Sequence, residues 1–214
     1  SGLRVIRLSA TAGRSKAGIS FLPPTPPQRG AFGGRKVIPE RWQERYRKYK
    51  PPFGKDGFQM KKYYLAYGSN LNLRQMVLRC PTAKAMGTAV IKDYELLFKG
   101  SKTGAYLTIE PKAGAEVPVA VWSVEPADEQ RLDVYEGFPA FYYKAELDLP
   151  VRYFSGKTVL RKAFVYIMHE ERPLGLPSGS YVRTCLEGYS DFGFDESILL
   201  AALNNSRRVA NEIR

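Results

Sequence analysis

Two short segments, far apart along the chain, hold the residue types that could do chemistry. The first is Tyr63-Tyr64-Leu65-Ala66-Tyr67-Gly68-Ser69-Asn70-Leu71. Its apolar and aromatic half reads as a buried strand, which breaks directly into a Gly-Ser-Asn turn. Gly68 admits backbone angles closed to other residues, and Ser69 and Asn70 favour turns by bonding nearby backbone. Helical character follows from Asn72 to Arg79, so the turn falls between a strand end and a helix start. N–H groups there lack helical acceptors and suit a carboxylate or a developing oxyanion. Taken alone, the same pattern also describes an ordinary strand-to-helix connection.

The second segment runs from Leu132 to Tyr143. A helix opens upstream at Pro126-Ala127-Asp128-Glu129-Gln130, with proline near its start and acids in its first turn. Gly137 and Pro139 stop that helix, leaving Glu136 in its last turn. A carboxylate at a helix C-terminus faces the negative end of the dipole. Tyr135, Phe138, Phe141, Tyr142 and Tyr143 add an aromatic, desolvating environment. Both effects disfavour the charged form, as a proton shuttle working near neutral pH requires. The alternative is a solvated glutamate at a helix end.

In combination, Tyr67-Gly68-Ser69-Asn70-Leu71, then Tyr135-Glu136-Gly137-Phe138-Pro139, then Tyr142-Tyr143 resemble the γ-glutamylcyclotransferase superfamily. Pro177-Ser178-Gly179-Ser180-Tyr181 is similar to the family's Pro-Ser-x-x-Tyr segment opening a late helix. The resemblance covers Lys61 to about Asn205. It looks closest to the branch of γ-glutamylamine cyclotransferases, plant avirulence-induced proteins and the butirosin-maturation cyclotransferase. Asn70 points away from the glutathione-specific branch.

The resemblance implies a specific reaction. The free α-amine of a γ-glutamyl compound attacks its own γ-carbonyl, closing 5-oxoproline and expelling an amine or peptide. Because the step is intramolecular, much of the catalysis lies in holding the substrate folded. By resemblance Glu136 is the general base and acid. The amides of Gly68, Ser69, Asn70 and Leu71 would receive the α-carboxylate or polarise the carbonyl. Tyr67, Tyr142 and Tyr181 would line the pocket and donate hydroxyl bonds, with strand phase deciding between Tyr142 and Tyr143. The expected partner is a small γ-glutamyl substrate, with no metal or organic cofactor. The leaving group and the oligomeric state stay open. The rival reading is a non-catalytic ligand-binding protein of the same fold.

Other chemistries find little support. His169 is the single histidine, so a His-based triad or multi-histidine metal site cannot be assembled. Cys80 and Cys185 have no Cys-x-x-Cys spacing and are expected as free, buried thiols on helices. No phosphate-cradling or dinucleotide fingerprint is present; the glycines from 30 to 34 follow a proline tract, not a strand.

Charge divides the chain. Of the 33 Lys and Arg and 21 Asp and Glu, residues 1–59 hold 13 and 3, so they carry nearly all of the +12 net charge. They also hold seven of the 15 prolines, including Pro23-Pro24-Thr25-Pro26-Pro27, and are expected to form an extended, disordered arm. A short helix is expected at 39–50, where Trp42, Tyr46 and Tyr49 form a stripe. Basic and aromatic residues interleaved from Arg41 to Lys50 suit an anionic partner such as nucleic acid; a basic linker or targeting tail is the alternative. No segment approaches the roughly 18 apolar residues of a membrane span, and no secretory core is visible. A cytoplasmic protein is expected, with an organellar presequence over Leu3 to Ala17 as the alternative.

Residues 60–214, about 150 in all, suffice for one domain with a core. Strands are predicted at 62–67, 86–91, 95–99, 105–110, 117–124, 142–149 and 159–168. Helices are predicted at 73–79, 126–135, 180–187 and 195–213, the last burying Leu199, Leu200 and Leu203. Alternating βα units are absent, which favours an α+β domain with a mixed, curved sheet. The resemblance sharpens this to a small mixed β-barrel with peripheral helices.

Overall fold

The computed structural model describes residues 61–101 and 104–212. The expectations for residues 1–59, including the helix at 39–50, lie outside the described residues. Five strands form a closed barrel: β1 (Lys62–Ala66), β2 (Lys84–Ser101), β3 (Gly104–Val124), β4 (Tyr142–Tyr153) and β5 (Thr158–Met168). They are ordered β1-β3-β2-β4-β5 around the barrel. Among the described residues four α-helices accompany it: α1 (Leu73–Arg79), α2 (Pro126–Glu136), α3 (Gly179–Phe192) and α4 (Glu196–Glu212). The predicted α+β class and mixed barrel are both present. β1 pairs antiparallel with β3 and parallel with β5, and the remaining neighbours are antiparallel.

The seven predicted strands are five, because two pairs merge. Segments 86–91 and 95–99 are one strand, β2, and segments 105–110 and 117–124 are one strand, β3. Lys92-Asp93-Tyr94 is not a link but a bulge, where Asp93 takes φ 61 and the register shifts between Lys92 and Tyr94. The Asp93 carboxylate accepts the Gly114 N–H at 2.8 Å. Pro111-Lys112-Ala113-Gly114 is exposed, and residues 112–115 have no partner on β2, so they bulge outward while the backbone continues in the strand. A bulge of this kind interrupts the hydrophobic pattern, which then reads as a loop, while the strand resumes its pairing on either side.

β1 explains why the barrel closes here. Leu65 sits opposite Val121 on one side and Val165 on the other, and all three are fully buried. Phe98, Ile109, Val119 and Trp122 complete the centre of the core. On α4, Leu199 and Leu203 are buried one turn apart, as expected. Leu200 is 42% exposed; one residue along a helix rotates a side chain by about 100°, away from that face.

Candidate active site

β1 ends at Ala66 and delivers the chain into a single 3-10 turn, Ser69–Leu71. The Leu71 N–H donates to Gly68 O at 2.9 Å, and the Asn72 N–H to Ser69 O at 3.2 Å. The amides ahead of the first of these bonds have no acceptor within the turn. Asn72 then caps α1, its Oδ1 accepting the N–H groups of Arg74 and Gln75, each at 3.1 Å. From behind, α3 holds the turn in place. Glu187 accepts from Asn72 Nδ2 at 2.9 Å, and Asp191 accepts from the Leu73 N–H at 3.1 Å. Gly188 allows this approach: a Cβ there would lie 2.5 Å from Leu71 Cβ and 2.8 Å from the Asn72 nitrogen.

The acid arrives from α2. Glu125 and Asp128 form a reciprocal capping box at its start, with Pro126 in the first turn. At its end Gly137 takes φ 65 and its N–H returns to the carbonyls of Asp133 and Val134. The Phe138 N–H also returns to Asp133 O, at 2.9 Å. This closed terminus holds Glu136 in the last turn. Its Oε1 accepts from Asn70 Nδ2 at 2.8 Å, so residues separated by 66 positions meet.

Both segments line one cavity of about 410 Å³. Of the predicted site residues, Glu136, Tyr67, Gly68, Ser69, Asn70, Tyr142 and Tyr181 all border it; Leu71 does not. Leu71 is instead fully buried and its N–H closes the turn, so its amide is not available to a ligand. Strand phase selects Tyr142: its neighbour Tyr143 faces outward and donates to Glu170 at 2.7 Å. The hydroxyl role expected of the tyrosines needs correction too. Tyr67 donates to Tyr166 O at 2.6 Å and Tyr142 to Leu107 O at 2.9 Å. Tyr181 accepts from the Leu107 N–H at 3.1 Å. Tyr67 and Tyr142 therefore spend their protons on the wall and contribute shape.

Sequence reasoning missed Tyr64, Arg79 and Tyr166. Tyr64 lines the cavity and accepts from Asn70 Nδ2 at 2.8 Å. Its position two residues before Ala66 and three before Tyr67 in a strand-to-turn segment was a usable signal. Arg79 reads as an ordinary cation in the last turn of a short helix, and nothing local marks it. Tyr166 requires the β4–β5 register. His169 bonds Pro139 O at 2.8 Å and packs on Tyr143, away from the cavity lining. Cys80 and Cys185 are free and buried, Cys80 just past the end of α1 and Cys185 within α3.

Known proteins resemble this chain in sequence and fold. The family model described as "Gamma-glutamyl cyclotransferase, AIG2-like" matches residues 64–183. The chain belongs to that family. The γ-glutamylcyclotransferase of Homo sapiens is 30% identical over 137 residues, covering 61% of this chain and 71% of that protein. That of Mus musculus is 28% identical over 140 residues, covering 62% and 72%. A solved γ-glutamyl cyclotransferase superposes with a TM-score of 0.56 at 26% identity, covering 69% of this chain and 87% of its own. YkqA of Bacillus subtilis shares the fold, with a TM-score of 0.55 at 18% identity over 67% of this chain and 54% of its own.

The stretch matched to the γ-glutamyl cyclotransferase family contains every cavity residue named above. Glu136, the one carboxyl side chain among the residues lining the cavity, is electrostatically distinctive. Burial pushes the Glu136 carboxyl up to about 7, opposed by the nearby Arg79 charge and by the bond from Asn70. The residue as a whole is only half-buried, but its carboxyl end is the part enclosed. Tyr64, Tyr67, Tyr142 and Tyr181 are held well above the ordinary phenol range, burial being the largest cause and the Glu136 charge adding to it. They are neutral at working pH. The cavity thus sets one carboxyl group, raised to about 7, among four buried tyrosines that stay neutral.

Proposed function

We propose that this protein is a γ-glutamylcyclotransferase, releasing 5-oxoproline and a free amine or peptide from a γ-glutamyl compound. One observation carries the reading: the Glu136 carboxyl, shifted to about 7, stands in an aromatic cavity beside the Gly68-Ser69-Asn70 turn. Ring closure needs little more than a folded substrate and a proton shuttle. The substrate's α-ammonium, of pKa about 8, gives a proton to the Glu136 carboxylate. The freed amine nitrogen bonds to the γ-carbonyl carbon, whose oxygen takes up negative charge. As the carbonyl re-forms, Glu136 returns its proton to the leaving nitrogen and the bond to that nitrogen breaks; the ring nitrogen, left with two hydrogens, passes one through the regenerated Glu136 carboxylate to the departing amine. The amides of Gly68, Ser69 and Asn70 receive the α-carboxylate or the oxyanion. A base with a pKa near 7 is matched to a donor of pKa about 8, which a surface carboxylate would not be.

The test is to incubate the protein with a panel of γ-glutamyl amines and γ-glutamyl peptides and measure 5-oxoproline. Turnover that Glu136→Gln abolishes supports the reading. Turnover that survives it removes Glu136 from the mechanism, and saturable binding without turnover favours the non-catalytic alternative.

A second reading concerns residues 1–59, whose 13 basic against 3 acidic residues favour a separate anionic partner. It predicts salt-sensitive binding of single-stranded nucleic acid by the full chain. Unchanged affinity after replacing Arg41, Arg45 and Arg47 with alanine would remove that segment from the interaction.

A further inference from the structure

Behind the cavity wall, the Arg79 guanidinium occupies a position that the proposed reaction has not yet used. Its Nη1 donates to Asn70 Oδ1 at 2.5 Å and to Ser69 Oγ at 3.2 Å, and its Nη2 to Gln75 Oε1 at 2.9 Å. The guanidinium carbon lies 3.7 Å above the centre of the Tyr135 ring. Arg79 does not line the cavity, whereas Ser69, Asn70 and Tyr135, which it touches, all do.

Hydrogen-bond inventory gives this contact its meaning. Arginine offers only donors, so the Asn70 atom facing it is the carbonyl oxygen. Both amide hydrogens of Asn70 are then directed away from Arg79. One meets Glu136 Oε1 and the other meets the Tyr64 hydroxyl oxygen, each at 2.8 Å. Without a donor at Oδ1, the Asn70 amide could turn over and present its oxygen to the Glu136 carboxylate, acceptor against acceptor. Tyr64, held as an acceptor, keeps its own proton for a partner in the cavity.

We propose that Arg79 is a positioning residue for the cyclotransferase reaction, acting through Asn70 to fix the orientation and protonation of Glu136. The inference rests on the reading of Glu136 as proton shuttle. Arg79 is also the one charged group acting on this carboxyl among the described residues. The other titratable groups interacting with it are Tyr64 and Tyr67 on β1, Cys80 after α1, Tyr142 on β4, Tyr166 on β5 and Tyr181 on α3. All six are pushed above their ordinary values and remain neutral. Removing the guanidinium therefore leaves no charge to offset the burial of Glu136. The acid should hold its proton to a higher pH and act as a poorer base at neutrality.

The decisive measurement is direct titration of Glu136 by NMR in the full chain labelled with carboxyl-13C glutamate, with Glu136→Gln assigning the signal. Arg79→Met and Arg79→Gln both remove the charge, and Gln keeps an amide donor should Met prevent folding. Either should raise the titration midpoint by about one unit or more. Arg79→Lys, which keeps a charge and a donor, should bring it back towards the wild-type value. If turnover is measurable, the acidic limb of kcat/KM should move upward in parallel. A folded neutral variant in which Glu136 titrates as in wild type would overturn the proposal. The titration needs no turnover, so an inactive wild type would defeat the cyclotransferase reading while the role of Arg79 is judged separately.

Discussion

The two walls of the cavity are built on opposite principles. The turn after β1 is fixed from several sides: Asn72 caps α1, Glu187 and Asp191 on α3 bond to it, and Gly188 packs against its backbone. The end of α2 is secured by its backbone closure at Gly137 and by side-chain ties from Tyr135 to Ser69 and Arg79 and from Asp133 to Tyr166 and Lys144, while its outer face is open. Val134 is 84% exposed and Tyr135 46%. The over-determined wall supplies fixed donors, and the lightly covered wall supplies the group that must change protonation. Orientation demands rigidity, while a shifted carboxyl needs only a dry pocket and one well-placed bond.

Breaking the active group of the lightly covered wall should give the largest effect. Glu136→Gln is expected to lower kcat by about 10²–10⁴-fold, measured as 5-oxoproline release. The same substitution should stabilise the fold at alkaline pH. The carboxyl is raised from 4.5 to about 7, so folding stability is full below 4.5 and falls as pH climbs through 7. Glutamine removes that loss: urea unfolding should show a gain of up to about 3 kcal/mol at pH 8 and almost none at pH 4. Loss of stability at pH 8 would contradict the burial of this acid.

Crowding the fixed wall comes next. Gly188→Ala puts a methyl group against Leu71 and Asn72 and should cost about 1–3 kcal/mol of stability. It should also lower kcat/KM, since the turn must move to make room. Asn72→Ala removes a cap and should cost about 1 kcal/mol by denaturant titration. Smallest of all, Val134→Ser on the exposed side of α2 should change stability by less than about 0.5 kcal/mol. A larger loss there would mean that this wall is more tightly held than its exposure implies.

Much of the site was legible because its signals are local. Gly68-Ser69-Asn70 follows an aromatic strand, and Glu136 precedes a helix-stopping glycine; both patterns are readable within a few residues. Leu71 was misplaced because adjacency in sequence says nothing about which amides a turn consumes internally. The tyrosine hydroxyls were misjudged for a similar reason: their acceptors are carbonyls on β3 and β5, set by register. β2 and β3 were each divided in two because a bulge at Asp93 and residues 112–115 interrupts both the hydrophobic pattern and the register, while each strand continues through it.

By itself the sequence determined where the first two helices and the strand before the Gly-Ser-Asn turn lie, and which two segments carry reactive groups. Local propensity and capping act over three or four residues, and those are printed in the chain. Only the tertiary structure decided that Asn70 meets Glu136, that Arg79 stands behind it, and that the carboxyl is dry enough to hold a proton near neutrality. Those properties depend on barrel closure bringing distant residues within 3 Å, and on burial, which belongs to no residue singly.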